Sequence, residues 1–201
     1  MANISAMNNS HSWSGRRIRE LIGFAMLAFG VFIAIALIGF HNSDPSPNLA
    51  SSRPVLNYAG KFGAYIANPM IQTLGFSSIL IVVMVLAWGW RLIVNKKIPS
   101  IAGIRISLFI LSLVLLSSIL AAIPESASWD SGFGGAIGLK VSHIMKHYFA
   151  GNSYLLFAFL LLIGTIPFSL GLSMREWKAL LKAFFTSIKT SLKTLSLIIP
   201  K

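Results

Sequence analysis

Residues 21–40 read LIGFAMLAFGVFIAIALIGF, an uncharged run of 20 residues that follows the polar N-terminal segment 1–20. At a rise of about 1.5 Å per residue, a helix of this length is about 30 Å long, which matches the hydrocarbon core of a bilayer. The apolar region of a signal peptide is shorter, about 7–15 residues, and ends at a small-residue cleavage site. Here the polar sequence HNSDP follows at 41–45. We therefore expect an uncleaved transmembrane helix.

Three further apolar stretches follow, at residues 70–94, 104–123 and 153–172. Each reaches the roughly 20 residues that a spanning helix needs. Only 11% of the residues are charged, whereas a soluble domain carries about 25%. The sequence therefore predicts an all-α integral membrane protein, with a four-helix membrane domain over residues 21–172. The chain has no cysteine, which excludes disulfides and thiolate metal sites.

The distribution of the basic residues predicts how the four helices are oriented. The chain has seventeen lysines and arginines but only five acidic residues. Thirteen of these bases lie before residue 21, between 91 and 105, or after 172, and the other four lie in the loops 41–69 and 124–152. The positive-inside rule places the base-rich segments, and with them both termini, in the cytoplasm. The rule explains the basic excess without nucleic-acid binding by this chain.

The last segment, 173–201, is amphipathic. At about 100° per residue, Lys178, Lys182, Lys189 and Lys193 share one face of a helix, and apolar side chains fill another. This pattern is typical of a helix on an anionic leaflet, where lysines reach the lipid head groups. The sequence predicts a cytoplasmic tail helix at the start of a linker. Docking against a partner domain is the alternative.

Each external loop has residues at helical spacing, which predicts a short interfacial helix. In the first loop, Ala59, Gly63 and Ala67 recur every four residues, and a flexible loop is the alternative. In the second, the helix begins near Ile137 and continues to Tyr148.

Neither loop offers a recognisable reactive site. The glycines at 132–138 are not a P-loop, because Leu139 stands where GxxxxGK[ST] requires lysine. His143 and His147 are four residues apart, but no third metal ligand is evident. The five acids are scattered, and no pair reads as a general acid and base. We therefore expect no catalytic residue, no cofactor and no metal in this chain.

Several motifs together resemble the N-terminal membrane domain of the FtsK/SpoIIIE family of bacterial DNA translocases, in its alphaproteobacterial form. These motifs are Asp44-Pro45-Ser46, then Asn57, Gly60, Gly63-Ala64 and Gly75, then WGWR at 88–91, and Gly134-Gly135-Ala136-Ile137-Gly138. The resemblance covers residues 16–185. It implies a domain that anchors a cytoplasmic hexameric ATPase, a pump for chromosomal DNA, at the division septum of the bacterial inner membrane.

The family's motor and DNA reader have no counterpart in these 201 residues. A fragment, a split gene and a short paralogue therefore all stay open. The expected partners are the lipid bilayer, divisome proteins and further copies of the chain, with no direct contact to nucleic acid. A small transporter or channel is the alternative, although no charged residue lies in mid-span, where ion and proton paths usually place one.

We predict that a phosphatase domain fused after Pro54 or Trp129 is active, and that one fused after Lys97 or Lys182 is inactive. Alkaline phosphatase works only outside the cytoplasm, and the bases place the first and third loops there. Fluorescent-protein fusions at the same four points should give the opposite pattern. Phosphatase activity at Lys97 would contradict the predicted orientation.

Overall fold

The computed structural model describes residues 2–47, 49, 53–95, 101–123, 132–172, 175–179, 182–183, 186–187 and 189–190, with residues 2–14 and 95 described by their backbone alone. Six α-helices form within these ranges up to residue 170. They are α1 (Ala2–Ile38), α2 (Gly60–Leu74), α3 (Ile79–Asn95), α4 (Ala102–Leu120), α5 (Gly135–Tyr148) and α6 (Tyr154–Leu170). Two short 3-10 turns, Gly75–Ser78 and Gly151–Ser153, lead into α3 and α6.

Among the described residues, four helical stretches are long and apolar enough to cross a membrane: Gly15–Ile38, Gly60–Val94, Ala102–Leu120 and Gly151–Leu170. The described part of the chain has no β-strand, and only Ser46 and Leu49 pair as an isolated bridge across a turn. These findings confirm the prediction of an all-α membrane protein with four spans. Segments without charge must form helices in lipid, because only a helix satisfies all backbone polar groups within one segment.

α1 and α3 form the first of two antiparallel pairs. Gly23 lies against Gly89, so close that a Cβ atom at Gly23 would be 2.8 Å from the Gly89 carbonyl oxygen. Further along α1, a Cβ at Gly30 would be 2.7 Å from a Leu86 methyl group. Small residues at such points let two membrane helices approach closely and gain van der Waals contact.

α4 and α6 form the second antiparallel pair, which hydroxyl groups hold together. The Ser112 hydroxyl donates to the Thr165 hydroxyl at 2.9 Å, and both groups are buried. Near the other end of the pair, the Tyr154 hydroxyl donates to the Ser118 carbonyl oxygen at 3.2 Å. A hydrogen bond of this kind contributes about 0.6 kcal/mol, and at most about 1.7 kcal/mol, to a membrane protein.

α2 and α3 are separate helices, although the apolar stretch 70–94 runs through both. Gly75 has a φ of 61° and starts the 3-10 turn between them. Asn57, three residues before α2, contacts the end of α1, because its side chain reaches the Ala36 carbonyl. Ile71, near the end of α2, lines a cavity with Ile38 at the same end of α1. α2 therefore lies across the end of α1, while α3 runs about 25 Å along it.

The two loops and their helices form a structure that we call the cap, made of the described residues within 39–78 and 132–153. α5 packs on both α4 and α2, and the turn at Gly75–Ser78 packs on α4. Towards the other end of the spans, the indole N–H of Trp88 donates to the Ser169 carbonyl oxygen at 3.2 Å. The two helix pairs are thus joined by the cap at one end and near Trp88 at the other.

Candidate functional site in the cap

Asp44 is the centre of the first loop. Its side chain is buried, with 1% of its surface exposed, and each carboxylate oxygen accepts one backbone hydrogen bond. The N–H of Leu56 donates to one oxygen at 2.8 Å, and the N–H of Asn57 donates to the other at 2.9 Å. Pro45 follows and is also buried. The carboxylate therefore fastens the two ends of this loop together, with hydrogen bonds of the stronger, charge-assisted kind.

Asn57 connects the loop to α1 and to the start of α2. Its amide nitrogen donates to the Ala36 carbonyl oxygen at 2.8 Å, and its amide oxygen accepts from the Ala59 N–H at 2.9 Å. The last four carbonyls of a helix have no partner within the helix. The Asn57 amide supplies a hydrogen-bond partner for one of these carbonyls and thereby caps α1. Its side chain leaves no room at Gly63, where a Cβ atom would collide with the Asn57 amide oxygen.

The glycine motif of the second loop lies against α4. A Cβ atom at Gly134 would be 2.7 Å from the Cβ of Ala121, and one at Gly138 would be 2.7 Å from the carbonyl carbon of Ser117. The Ser117 hydroxyl donates to the Gly134 carbonyl and also reaches the Leu74 carbonyl at 3.3 Å. One hydroxyl on α4 thus bridges the end of α2 and the start of α5.

The same motif meets the turn that follows α2. Gly75 and Gly135 both have positive φ, of 61° and 63°, and a Cβ on Gly135 would be 2.5 Å from the Gly75 nitrogen. The N–H of Phe76 donates to the Phe133 carbonyl at 3.0 Å. The two phenyl rings stack with centroids 5.5 Å apart. This contact, which we call the glycine junction, ties the first helix pair to the second.

The structure places the residues predicted as family-motif positions in separate contacts within the cap. Asp44, Asn57 and Gly63 form one cluster, Gly135 forms the glycine junction with Gly75, and Gly134 and Gly138 lie against Ser117 of α4. Gly60 begins α2 with a φ of 66°. Each cluster joins backbone to backbone. These contacts can hold the helices in place, and the side chains of Asp44, Asn57 and Ser117 already have hydrogen-bond partners within the protein.

His143 and His147 lie on the exposed face of α5. Within the residues that the structure describes, no three His, Cys, Asp or Glu side chains gather where they could hold a metal ion.

Several residues that hold the cap and the spans together give little signal in the sequence. Ser117 is the bridge just described, and the Ser142 and Tyr154 hydroxyls lie 2.7 Å apart, both buried. Small polar side chains within an apolar run are the only signal in the sequence. They predict an interhelical hydrogen bond, but they do not identify the partner.

At the opposite end of the spans, Arg91 forms an ion pair with Glu176, with Nη2 and Oε2 3.0 Å apart. Residues 175–179 are helical, so this pair attaches the first turns of the tail to the end of α3. Of the four lysines predicted to face the membrane surface, Lys178, Lys182 and Lys189 are exposed. Lys193 lies outside the described residues. Their role at a membrane surface stays a prediction.

The geometry defines a multi-pass membrane protein whose two helix pairs are joined by a cap. A family model for the 4TM region of DNA translocase FtsK/SpoIIIE matches residues 15–184. The chain therefore belongs to this family and corresponds to its four-span membrane region, which confirms the resemblance found in the sequence.

Relatives in three bacteria support the assignment, and each is a DNA translocase FtsK. The protein of Azospirillum brasilense is 30% identical over 183 residues, which cover 83% of this chain and 27% of that protein. The protein of Rickettsia typhi is 30% identical over 82% of this chain and 22% of its own length. The protein of Bradyrhizobium diazoefficiens is 33% identical over 61% of this chain and 15% of its own length. This chain thus spans about a quarter or less of each relative, and no solved structure matches it.

We predict that Gly138→Ala destabilises the protein and that Gly164→Ala does not. The new methyl group at position 138 meets the Ser117 backbone, whereas position 164 has open space within 4 Å. Overpacking costs about 1–3 kcal/mol, and replacing a helical glycine by alanine in open space gains about 0.8–1 kcal/mol. Thermal unfolding of the purified variants in detergent, followed by circular dichroism, measures the difference. Equal stability of the two variants would contradict the close contact at Ser117.

Proposed function

We propose that this chain anchors an FtsK-type DNA translocase in the bacterial inner membrane at the division septum. The observation that carries the proposal is the match of residues 15–184 to the family's membrane region, together with four helices of spanning length. The relatives are named as DNA translocases. In this proposal the present residues supply the attachment, and translocation belongs to other parts of the translocase.

Both termini lie in the cytoplasm in this proposal, and the cap lies outside. The thirteen bases at one end of the spans support this orientation through the positive-inside rule. In a DNA translocase the tail must leave the membrane on the side where the chromosome lies. The cap then faces the septal space, where it can meet divisome proteins and neighbouring copies of the chain.

The tail leaves the membrane domain from a defined position. Arg91 at the end of α3 is paired with Glu176, and Trp88 one turn earlier contacts α6 through Ser169. The exposed Lys178, Lys182 and Lys189, and Lys193 beyond them, lie along the cytoplasmic leaflet in this proposal. Each base near an anionic surface contributes about 1 kcal/mol. The tail is thus held both by the spans and by the lipid surface.

The proposal carries no catalytic role for these residues. ATP-driven work needs a phosphate-binding loop with a lysine, and a hydroxyl and a carboxylate on magnesium. The sequence offers no such loop in its predicted cytoplasmic segments.

We predict that a fluorescent fusion of this chain collects at mid-cell in dividing bacteria, and that the purified chain hydrolyses no ATP in the presence of DNA. Gly138→Ala should weaken mid-cell localisation by disturbing the cap, while the matched Gly164→Ala should keep it. Fluorescence microscopy and a phosphate-release assay measure the two effects. Uniform labelling of the envelope by the unmodified fusion would contradict the septal role and favour a transporter. DNA-stimulated hydrolysis by the pure chain would contradict the absence of a motor.

A further inference from the structure

An apolar groove lies where α1, α2 and α3 meet beneath the cap. Its volume is about 510 Å³. The lining comes from the last turns of α1, the end of α2, the 3-10 turn and the start of α3, and includes Ala34, Leu37, Ile38, Phe76, Ile79 and Val82. Small Ala34 leaves the space that the larger side chains surround. The groove is thus a concavity between two spanning helices and the cap.

The lining of the groove presents almost only carbon. Ser78 is the one polar side chain among the lining residues. Its hydroxyl donates to the Met70 carbonyl at 2.8 Å and lies 2.7 Å from the Gly75 carbonyl. It is also fully buried. No charged side chain lines the groove, so an occupant is recognised by its shape and its apolar surface.

Two isoleucines that line the groove have exposed side chains. Ile38 is 76% exposed and Ile79 is 59% exposed. Leaving a side chain of this size in water rather than burying it costs about 1.5–3 kcal/mol. Ile38 ends α1 and Ile79 begins α3, and both helices belong to the four stretches of spanning length. The groove therefore opens into the hydrocarbon of the bilayer, at the end where the cap begins.

The volume of the groove decides between two kinds of apolar occupant. A transmembrane helix is about 10 Å wide, so three turns of it occupy about 1,250 Å³, and a groove of about 510 Å³ could receive only side chains from one of its faces. A water molecule takes about 30 Å³ of liquid, and a methylene group is of similar size. The groove therefore holds about 17 methylene-sized groups, which is the content of one fatty acyl chain.

We propose that the acyl chain of a membrane lipid occupies this groove and is held there longer than the lipid around it. The chain enters sideways from the bilayer and packs on Ala34 and Val82, so that the cap and the first helix pair share one continuous apolar contact. Because the lining carries no charge, the groove selects for the chain and is indifferent to the head group. The proposal rests on the membrane embedding of the family region and is independent of the septal role.

A photoactivatable lipid tests the proposal. The full chain is reconstituted into vesicles that contain phosphatidylethanolamine with a diazirine in its acyl chain, irradiated and mapped by mass spectrometry. We expect several-fold more labelling at residues 34–40 and 79–83 than at the exposed Phe157, Leu160 and Phe168 of α6, which report ordinary lipid contact. Phosphatidylglycerol with the same labelled chain should give the same result.

A matched pair of variants sharpens the test. Ala34→Trp fills the groove and should reduce its labelling to the level of α6. Ile35→Trp, on the neighbouring exposed face, should leave the labelling unchanged. Ala34→Leu is the smaller substitution if Ala34→Trp does not fold, and it should give a partial loss.

Three results would overturn the proposal. They are equal labelling of the groove and α6, crosslinks from the groove to a second copy of the chain in place of lipid, and labelling that depends on the head group. No labelling at either the groove or α6 would show that the spans are not in the bilayer. That result would also contradict the proposed function. Normal labelling at α6 together with no labelling in the groove would reject the bound lipid and leave the proposed function unaffected.

Discussion

The backbone contact between α5 and α4 at Ser117 holds the start of α5 where it can join the two helix pairs. Gly134 and Gly138 permit it because neither has a side chain, and the Ser117 hydroxyl then reaches the carbonyls of Leu74 and Gly134. Within a bilayer, helices gain no hydrophobic energy by leaving lipid for one another, so close fit and hydrogen bonds must hold them. Each helix pair has such contacts internally. The glycine junction extends the same principle to both pairs and makes them one domain.

The four spans and the all-α class follow from the sequence because lipid permits no other fold for long uncharged segments. The order of the motifs along the chain was enough to single out Asp44, Asn57 and the glycines. It did not predict that these residues make contacts with the backbone. Partners lie far apart in the chain, as with Ser112 and Thr165, and a helix that is apolar on all sides does not reveal which face meets a neighbour. The break between α2 and α3 was also hidden, because hydropathy stays high on both sides of Gly75.

The two ends of the domain are built differently, in a way that suits an anchor. At the cap, the buried side chains of Asp44 and Asn57 are hydrogen-bonded to backbone groups, which holds that end of the domain in place. At the other end, the link to the tail is a partly exposed ion pair between Arg91 and Glu176, and such pairs contribute only about 0–1 kcal/mol. In the proposed orientation, a cytoplasmic domain attached there would be joined to the spans through a weak contact.

Disulfide crosslinking can test whether the glycine junction joins the two helix pairs, because the chain has no native cysteine. Cysteines replace Phe76 and Phe133, whose rings stack and whose backbones are hydrogen-bonded, and a protease site is inserted between α3 and α4. After oxidation and cleavage in the membrane, the account predicts that the halves stay together on a non-reducing gel and separate on reduction. A control pair at Phe76 and the distant Phe168 should not crosslink. Separation of the oxidised Phe76–Phe133 halves would contradict the account.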